Sequence, residues 1–293
     1  MPRLGAHMSI LGGLHKALER GHSIGCETIQ LFTRNNARWK AKARTPEELE
    51  LYRDTLAQTG IDPVVAHAIY LINLAAPEKR VHDLSNDAFR EELARCHEAG
   101  IPYLVLHPGS HKGTGLEQGI ARIAQNIRDA YAEHPEYTVV TLLENTAGQG
   151  DTIGRTFEEL AQIEALCRQS GADKLHPGDE CPHIGYCFDT AHALASGYDI
   201  RAAAGYEETM AHLNEVLGLD RLRCFHLNDS KTELGSHHDR HEQIGQGHVG
   251  LETFRLLLND ARFADRPMLL ETPKDDDLHQ DVEALALLRS LIE

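Results

Sequence analysis

Short apolar runs rich in β-branched residues alternate along the chain with longer segments of helical periodicity. Several runs are apolar at nearly every position, as is typical of parallel strands covered on both faces. Among the predicted helices, one begins at a capping box formed by Thr45 and Glu48. Leu49, Tyr52 and Leu56 then follow on one face of that helix. The predicted strands are residues 3–8, 28–33, 63–67, 103–107, 138–144, 184–189, 223–228 and 268–272.

The order of these elements predicts an α/β protein, with residues 1–293 forming a single (β/α)8 TIM barrel. Eight parallel strands alternating with helices close a barrel, and about 250 residues is a usual size for that fold. The alternative is an open, doubly wound sheet, but the first strand is not followed by the Gly-rich nucleotide loop of such folds. In a barrel, the active site lies at the C-terminal ends of the strands.

The composition narrows the range of functions. A formal net charge of −16 disfavours a nucleic-acid binder that relies on a broad basic surface. Histidine (19 residues) and Asp+Glu (45 residues) instead supply many ligands for divalent cations. The six cysteines are dispersed without a Cys-x-x-Cys pair, so we expect reduced thiols without metal-ligand spacing. The chain shows no signal-peptide pattern and no apolar run of about 18 residues, so we expect a cytoplasmic protein without a membrane partner.

Seven of the eight predicted strands place an ionisable or metal-binding side chain at or near their C-terminal ends. In a closed barrel these ends converge, and a buried imidazole or carboxylate there is costly unless it is paired or coordinated. One four-coordinate ion cannot use so many ligands, so we expect two or three ions and at least one bridging carboxylate. The first strand carries His7, and the candidate ligands are His67, His107, Glu144, Asp189, His192, His226, Asp239, His241 and Glu271.

The loop after the second strand is basic, although the protein as a whole is acidic. From Arg34 to Arg44 it holds five basic residues, no acidic residue, and Trp39, the only Trp of the chain. Basic residues around an aromatic suit a phosphate backbone and a stacked base. The alternative is a solvated loop whose Trp packs on the barrel. Beside a multi-metal cluster, the loop predicts an anionic substrate with a phosphate at the metals.

Together these motifs resemble the endonuclease IV family of apurinic/apyrimidinic endonucleases. The resemblance covers essentially the whole chain, and the stretches ENTAGQ (144–149) and HLNDSK (226–231) are its most specific parts. The other stretches that carry it are GAHMS (5–9), YLINL (70–74), HPGSH (107–111), DTAH (189–192), DRH (239–241) and LET (270–272).

The resemblance implies a trinuclear centre, usually of zinc. Manganese is the alternative metal, because sites of His and carboxylate ligands also accept it. It assigns the candidate ligands to three divalent ions that share Glu144 between the first two. The first ion would be held by His67, His107 and Glu144, the second by Glu144, Asp189, His226 and Glu271, and the third by His192, Asp239 and His241.

The activity implied is hydrolysis of the phosphodiester 5′ to an abasic site in double-stranded DNA, leaving a 3′-hydroxyl and a 5′-deoxyribose phosphate. Glu144 would bridge two ions, and Glu271 would orient or deprotonate the attacking water. The abasic nucleotide would be flipped out of the duplex, and we expect the enzyme to act as a monomer. The candidate DNA contacts are His7, Arg34, Asn35, Arg38, Trp39 and Tyr70.

The chain departs from the family pattern in two places. Asn36 and Ala37 stand where longer polar and basic residues are usual, with Arg38 one place later, and the segment 172–182 is longer. Two other functions stay open. A sugar or sugar-phosphate isomerase or epimerase on the related barrel would need fewer metal ligands. A non-catalytic DNA-binding module with structural metals would favour closed four-ligand sites.

Overall fold

Eight parallel strands close into a barrel in the computed structural model, which describes residues 1–168, 183–275 and 277–293. Each strand pairs with the next along the chain, and the last pairs with the first. The barrel prediction is therefore confirmed, and the open-sheet alternative is wrong. The strands are β1 (Arg3–His7), β2 (Thr28–Phe32), β3 (Val64–His67), β4 (Tyr103–Leu106), β5 (Val140–Glu144), β6 (Ile184–Asp189), β7 (Leu222–His226) and β8 (Pro267–Leu270).

Helices connect the strands and pack around the barrel. The capping box of the second helix is present, because the Thr45 side chain accepts from the Glu48 N–H and the Glu48 side chain accepts from the Thr45 N–H. Gly60, with φ 68°, ends that helix in the left-handed conformation. Within the described ranges the helices are α1 (Leu14–Ser23), α2 (Pro46–Thr59), α3 (Lys79–Ala99), α4 (Leu116–Glu133), α5 (Phe157–Arg168), α6 (Thr190–Ser196), α7 (Ala203–Val216), α8 (Leu251–Leu258) and α9 (His279–Ser290).

The barrel interior explains why the candidate ligands point into its mouth. Side chains alternate between the two faces of a strand, so residues two positions apart share a face. Six buried residues pack together inside the barrel, and each precedes a candidate ligand by two positions. These interior residues are Val65, Val105, Leu142, Cys187, Cys224 and Leu269, and the ligands that follow them are His67, His107, Glu144, Asp189, His226 and Glu271.

Two short antiparallel ribbons extend the mouth beyond the strand ends. One pairs Gly109–Ser110 with Thr152–Ile153, and the other pairs Asp229–Ser230 with His241–Glu242. The second ribbon frames the loop that carries Asp239, and His241 lies in the ribbon itself. The 172–182 segment singled out from the sequence lies outside the described residues. In the described ranges, no helix has both the length and the apolar character that crossing a membrane requires.

Candidate metal centre

Glu144 lies at the centre of the barrel mouth and is fully buried. Its Oε2 is 3.0 Å from His107 Nε2 and 3.4 Å from His67 Nε2. Its Oε1 is 2.9 Å from His226 Nδ1 and 3.3 Å from His192 Nδ1. One carboxylate therefore faces imidazoles on two sides, which is the geometry that a bridging ligand requires.

A second ligand group surrounds His226. Its Nδ1 is 3.1 Å from Glu271 Oε2 and 3.9 Å from Asp189 Oδ2. The ligand atoms of these three residues and of Glu144 all lie within 4.8 Å of one another. The group spans β5 to β8, because each residue ends, or directly follows, a neighbouring strand.

The third ligand group lies at the edge of the mouth. Asp239 joins two imidazoles there, with Oδ2 3.3 Å from His192 Nε2 and Oδ1 3.3 Å from His241 Nε2. Asp189 Oδ2 is 3.8 Å from His241 Nε2 and links this group to the second. The structure thus brings all nine predicted ligands together. The first two groups have the members that the resemblance implies, and in the third Asp189 as well as Asp239 lies beside His192 and His241. That they bind ions stays a prediction.

Hydrogen bonds prepare the imidazoles to bind cations. His67 Nδ1 donates to the Ala68 carbonyl at 2.7 Å, and His192 Nδ1 donates to the Asn145 carbonyl at 2.9 Å. In both rings Nε2 is left facing the cluster, as metal ligands require. Two buried polar atoms of the cluster, Glu144 Oε2 and His241 Nε2, lie close to polar atoms of other ligands but make no hydrogen bond of good geometry with the described residues. Buried oxygen and nitrogen atoms without a well-formed hydrogen bond, and a ligand set of imidazole and carboxylate, both fit divalent metal ions.

Two asparagines hold the carboxylates in place. Asn228 Nδ2 donates to Asp189 Oδ2 at 2.6 Å and to Glu271 Oε2 at 3.3 Å. Its Oδ1 accepts from the Glu271 N–H. Asn145 pairs with the Asp189 backbone, its Oδ1 accepting from the N–H and its Nδ2 donating to the carbonyl. Asn145 lies in the ENTAGQ stretch and Asn228 in the HLNDSK stretch. These two stretches therefore contain metal-ligand candidates and also the residues that hold such ligands in position.

The imidazoles of the cluster lower the pKa values of its glutamates. Burial raises the pKa of Glu144, but attraction by His107 and His226 outweighs burial and lowers that pKa well below its ordinary value. Burial also raises the pKa of Glu271, but attraction by His226 and His67 brings it down to about 2. Both carboxylates are therefore ionised at neutral pH, which is the state that binds a cation.

The structure adds two features that sequence spacing did not reveal. Gln30 on β2 reaches into the cluster, although its strand carries no ionisable residue at that end. Cys187 and Cys224 face each other across β6 and β7, and their sulfurs lie within 4.8 Å of a nitrogen of His226. Both features depend on strand register, which a linear motif does not contain.

Arg34, one of the predicted DNA contacts, is held by acidic side chains of the protein itself. The Arg34 side chain is 1% exposed and donates to Glu92, which is fully buried, and to Glu91. It also donates to the carbonyls of Trp39 and Ala88. All three guanidinium nitrogens are thereby used within the protein, so Arg34 anchors the loop, and it also lines the cavity beside the cluster. That it contacts DNA stays a prediction.

The other predicted contacts lie at the mouth or on the loop surface. Asn35 and Arg38 are exposed, whereas Trp39 is half-buried against the hydrophobic core. This position of Trp39 corresponds to the alternative interpretation of the loop, in which the Trp packs on the barrel. Tyr70 is 61% exposed, and its ring centroid is 5.4 Å from that of His67. A cavity of about 400 Å³ beside the cluster is lined by residues that include His7, Asn35, Tyr70 and Glu271.

Comparisons with known proteins first define a broad class. A family model described as xylose isomerase-like TIM barrel matches residues 18–291, so the chain belongs to that class. A D-tagatose 3-epimerase-like protein shares the fold with a TM-score of 0.72, 99% of this chain covered and 96% of that chain. At 16% sequence identity, that likeness shows the fold alone.

Within this class, the chain belongs to the endonuclease IV family. A probable endonuclease 4 of Chloroflexus aurantiacus is 50% identical over 293 residues, covering 100% of this chain and 99% of the relative. A probable endonuclease 4 of Geobacter sulfurreducens is 49% identical, and the match covers 99% of this chain and 94% of the relative. The crystal structure of endonuclease IV from Thermus thermophilus aligns with a TM-score of 0.83 at 33% identity, covering 99% and 98%. The resemblance read from the motifs is therefore confirmed.

Proposed function

We propose that this protein is a metal-dependent DNA-repair endonuclease that hydrolyses the phosphodiester 5′ to abasic sites in double-stranded DNA. The observation that carries the proposal is the set of nine His, Asp and Glu side chains in three adjoining groups, the first two of which share Glu144. Multi-metal sites of this kind suit in-line displacement at phosphorus. The names of the full-length relatives support the same activity.

The donor set favours three divalent ions, with zinc as the metal and manganese as the alternative, because imidazole and carboxylate accept both. When bound, the ions supply positive charge to the phosphoryl oxygens, to the attacking water and to the departing oxygen. His67, His107 and Glu144 would hold the first ion. The second would be held by Glu144, Asp189, His226 and Glu271, and the third by His192, Asp239 and His241.

We assign the role of general base to Glu271. It lines the cavity, its side chain is 11% exposed, and its lowered pKa keeps it ionised at neutral pH. The water oxygen adds to phosphorus while the bond from phosphorus to O3′ of the preceding nucleotide breaks. Glu271 takes a proton from the water, and O3′ takes a proton from solvent to become the 3′-hydroxyl. The abasic sugar keeps the 5′-phosphate.

The cavity beside Glu271 is proposed to receive the flipped abasic nucleotide, with His7 and Asn35 on its wall. Flipping a nucleotide without a base costs less than flipping a paired one, which gives selectivity without base readout. Exposed Tyr70 would face the gap that the flipped nucleotide leaves in the base stack of the DNA. Exposed Arg38 would contact backbone phosphates. We propose that one chain performs the whole reaction.

The proposal is tested with a duplex that carries one stable abasic analogue, beside an intact duplex of the same sequence. We expect a single cut on the 5′ side of the lesion, with a 3′-hydroxyl at the new end. Prolonged chelation should abolish cutting, and zinc or manganese should restore it. Metal-loaded protein that leaves the lesion uncut but isomerises a sugar phosphate would contradict the proposal in favour of the related isomerase chemistry.

A further inference from the structure

Gln30 occupies a ligand-like position on the one barrel strand that ends without an ionisable side chain. It is the register partner of His7 across β1 and β2, and it is fully buried. Its amide contacts three side chains of the mouth, His7, His226 and Glu271. Both ends of the amide are used in these contacts, which indicates a role in arranging the neighbours.

The contacts determine how the amide is oriented. Gln30 Nε2 is 2.6 Å from Glu271 Oε1 and 3.0 Å from His7 Nδ1, and its Oε1 is 2.8 Å from His226 Nε2. An ionised carboxylate only accepts hydrogen bonds, so the amide nitrogen must face Glu271. The amide oxygen then faces His226 and can only accept. His226 Nε2 must therefore carry a proton.

A protonated Nε2 leaves Nδ1 as the nitrogen of His226 that can bind a metal. This atom faces the carboxylates of the second ligand group. His67 and His192 show the opposite arrangement, in which Nδ1 donates to a backbone carbonyl and Nε2 faces the cluster. Their tautomers are set by the main chain. The tautomer of His226 is set by a side chain, so a substitution can change it.

We propose that Gln30 is a positioning residue for the second metal ion. It selects the His226 tautomer that binds through Nδ1, and it holds Glu271 so that Oε2 faces the same site. This inference rests on the metal-dependent function proposed above. Loss of such an outer partner typically reduces metal affinity or activity about 10–100-fold.

Gln30→Met tests the proposal, because it removes all three hydrogen bonds at nearly constant volume. Thr28→Val is the matched control. Thr28 is equally buried two residues earlier on β2, and its hydroxyl donates to the Pro63 carbonyl, away from the cluster. Metal-free wild type and both variants are titrated with zinc against a chromophoric chelator. Their cobalt-loaded forms are compared by visible absorption.

We expect Gln30→Met to bind one zinc ion about 10–100-fold more weakly and to alter the cobalt spectrum. Thr28→Val should match the wild type in both measurements. Equal zinc affinities together with an unchanged cobalt spectrum in Gln30→Met would overturn the proposal. Because these readouts do not use DNA, a wild type that binds zinc but does not cut would refute the proposed function and leave this inference standing.

Gln30→Glu provides the second test if Gln30→Met does not fold. It keeps an oxygen facing His226 but replaces the donor to Glu271 with a like charge. We expect weaker binding of one zinc ion, because Glu271 loses the partner that holds it at the second site, together with an unchanged KM and a kcat about 10–100-fold lower. A wild-type kcat in this variant would overturn the role of Gln30 in orienting Glu271.

Discussion

Glu144 Oε1 lies 2.9 Å from His226 Nδ1, although 82 residues separate the two along the chain. The other carboxylate oxygen faces His67 and His107. Glu144 therefore joins two of the three ligand groups, whereas Asp239 belongs only to the third. Substitutions at these positions should accordingly differ in how many ions they remove.

Glu144→Gln should reduce bound zinc by more than one ion per chain and slow incision at least ~100-fold, because an amide cannot bridge two cations as a carboxylate can. Asp239→Asn is the comparison, and it should remove only one ion. Metal analysis of the purified variants after dialysis measures both effects. Equal losses of metal in the two variants would show that Glu144 is not shared.

Glu271→Gln should lower the rate of the chemical step by about 10²–10⁴-fold, the range associated with loss of a general base. DNA binding should be retained, because the amide keeps the size of the side chain and removes a negative charge near the phosphates. Single-turnover cleavage and a binding titration on the abasic duplex separate the two effects. Full activity in this variant would eliminate Glu271 as the base.

Arg34→Gln should destabilise the protein by about 3–5 kcal/mol, because it leaves a buried carboxylate without its charged partner. That carboxylate belongs to Glu92, which is fully buried. Denaturant unfolding of the variant and the wild type measures the difference. Wild-type stability would show that Arg34 is not the anchor of the loop.

Arg38→Gln should leave stability unchanged and weaken DNA binding, because Arg38 is exposed on the same loop. If Arg38 contacts one phosphate, the slope of log affinity against log salt concentration should fall by about 1. A salt titration of binding measures this slope. An identical slope for variant and wild type would place Arg38 away from the DNA backbone.

The metal-free protein should lose stability as pH rises above neutrality. Burial lowers the pKa of His226, but attraction by Glu271 and Glu144 outweighs burial and raises it well above 6.5. Asp189 has the same effect on His192. A pKa raised in the folded state gives stability that is present below the unfolded pKa and is lost as pH rises through the folded value.

Thermal unfolding of the chelated protein between about pH 6 and pH 9 tests this expectation. Its Tm should fall across the range. The zinc-loaded protein should gain stability over the chelated form as pH rises, because metal binding displaces the imidazole protons. A Tm of the chelated protein that rises with pH would mean that these imidazoles are neutral.

The ligand set could be predicted from sequence because it follows two simple rules of strand geometry. Side chains two apart share a face, as Leu142 and Glu144 do, and the strand ends of a barrel converge. Gln30 could not be predicted, because its partners His226 and Glu271 come from strands far away in sequence. Arg34 looked like the other basic residues of its loop, and only the fold brings it to Glu92 on α3.

The most direct test of the central claim measures bound zinc and incision rate on the same samples during stepwise reloading of metal-free protein. If the nine side chains form one catalytic centre, cutting 5′ to the abasic analogue should remain absent after the first equivalents of zinc are added. It should appear only as the whole set of metal sites fills. Incision at the full rate by protein shown to contain no metal would contradict the account.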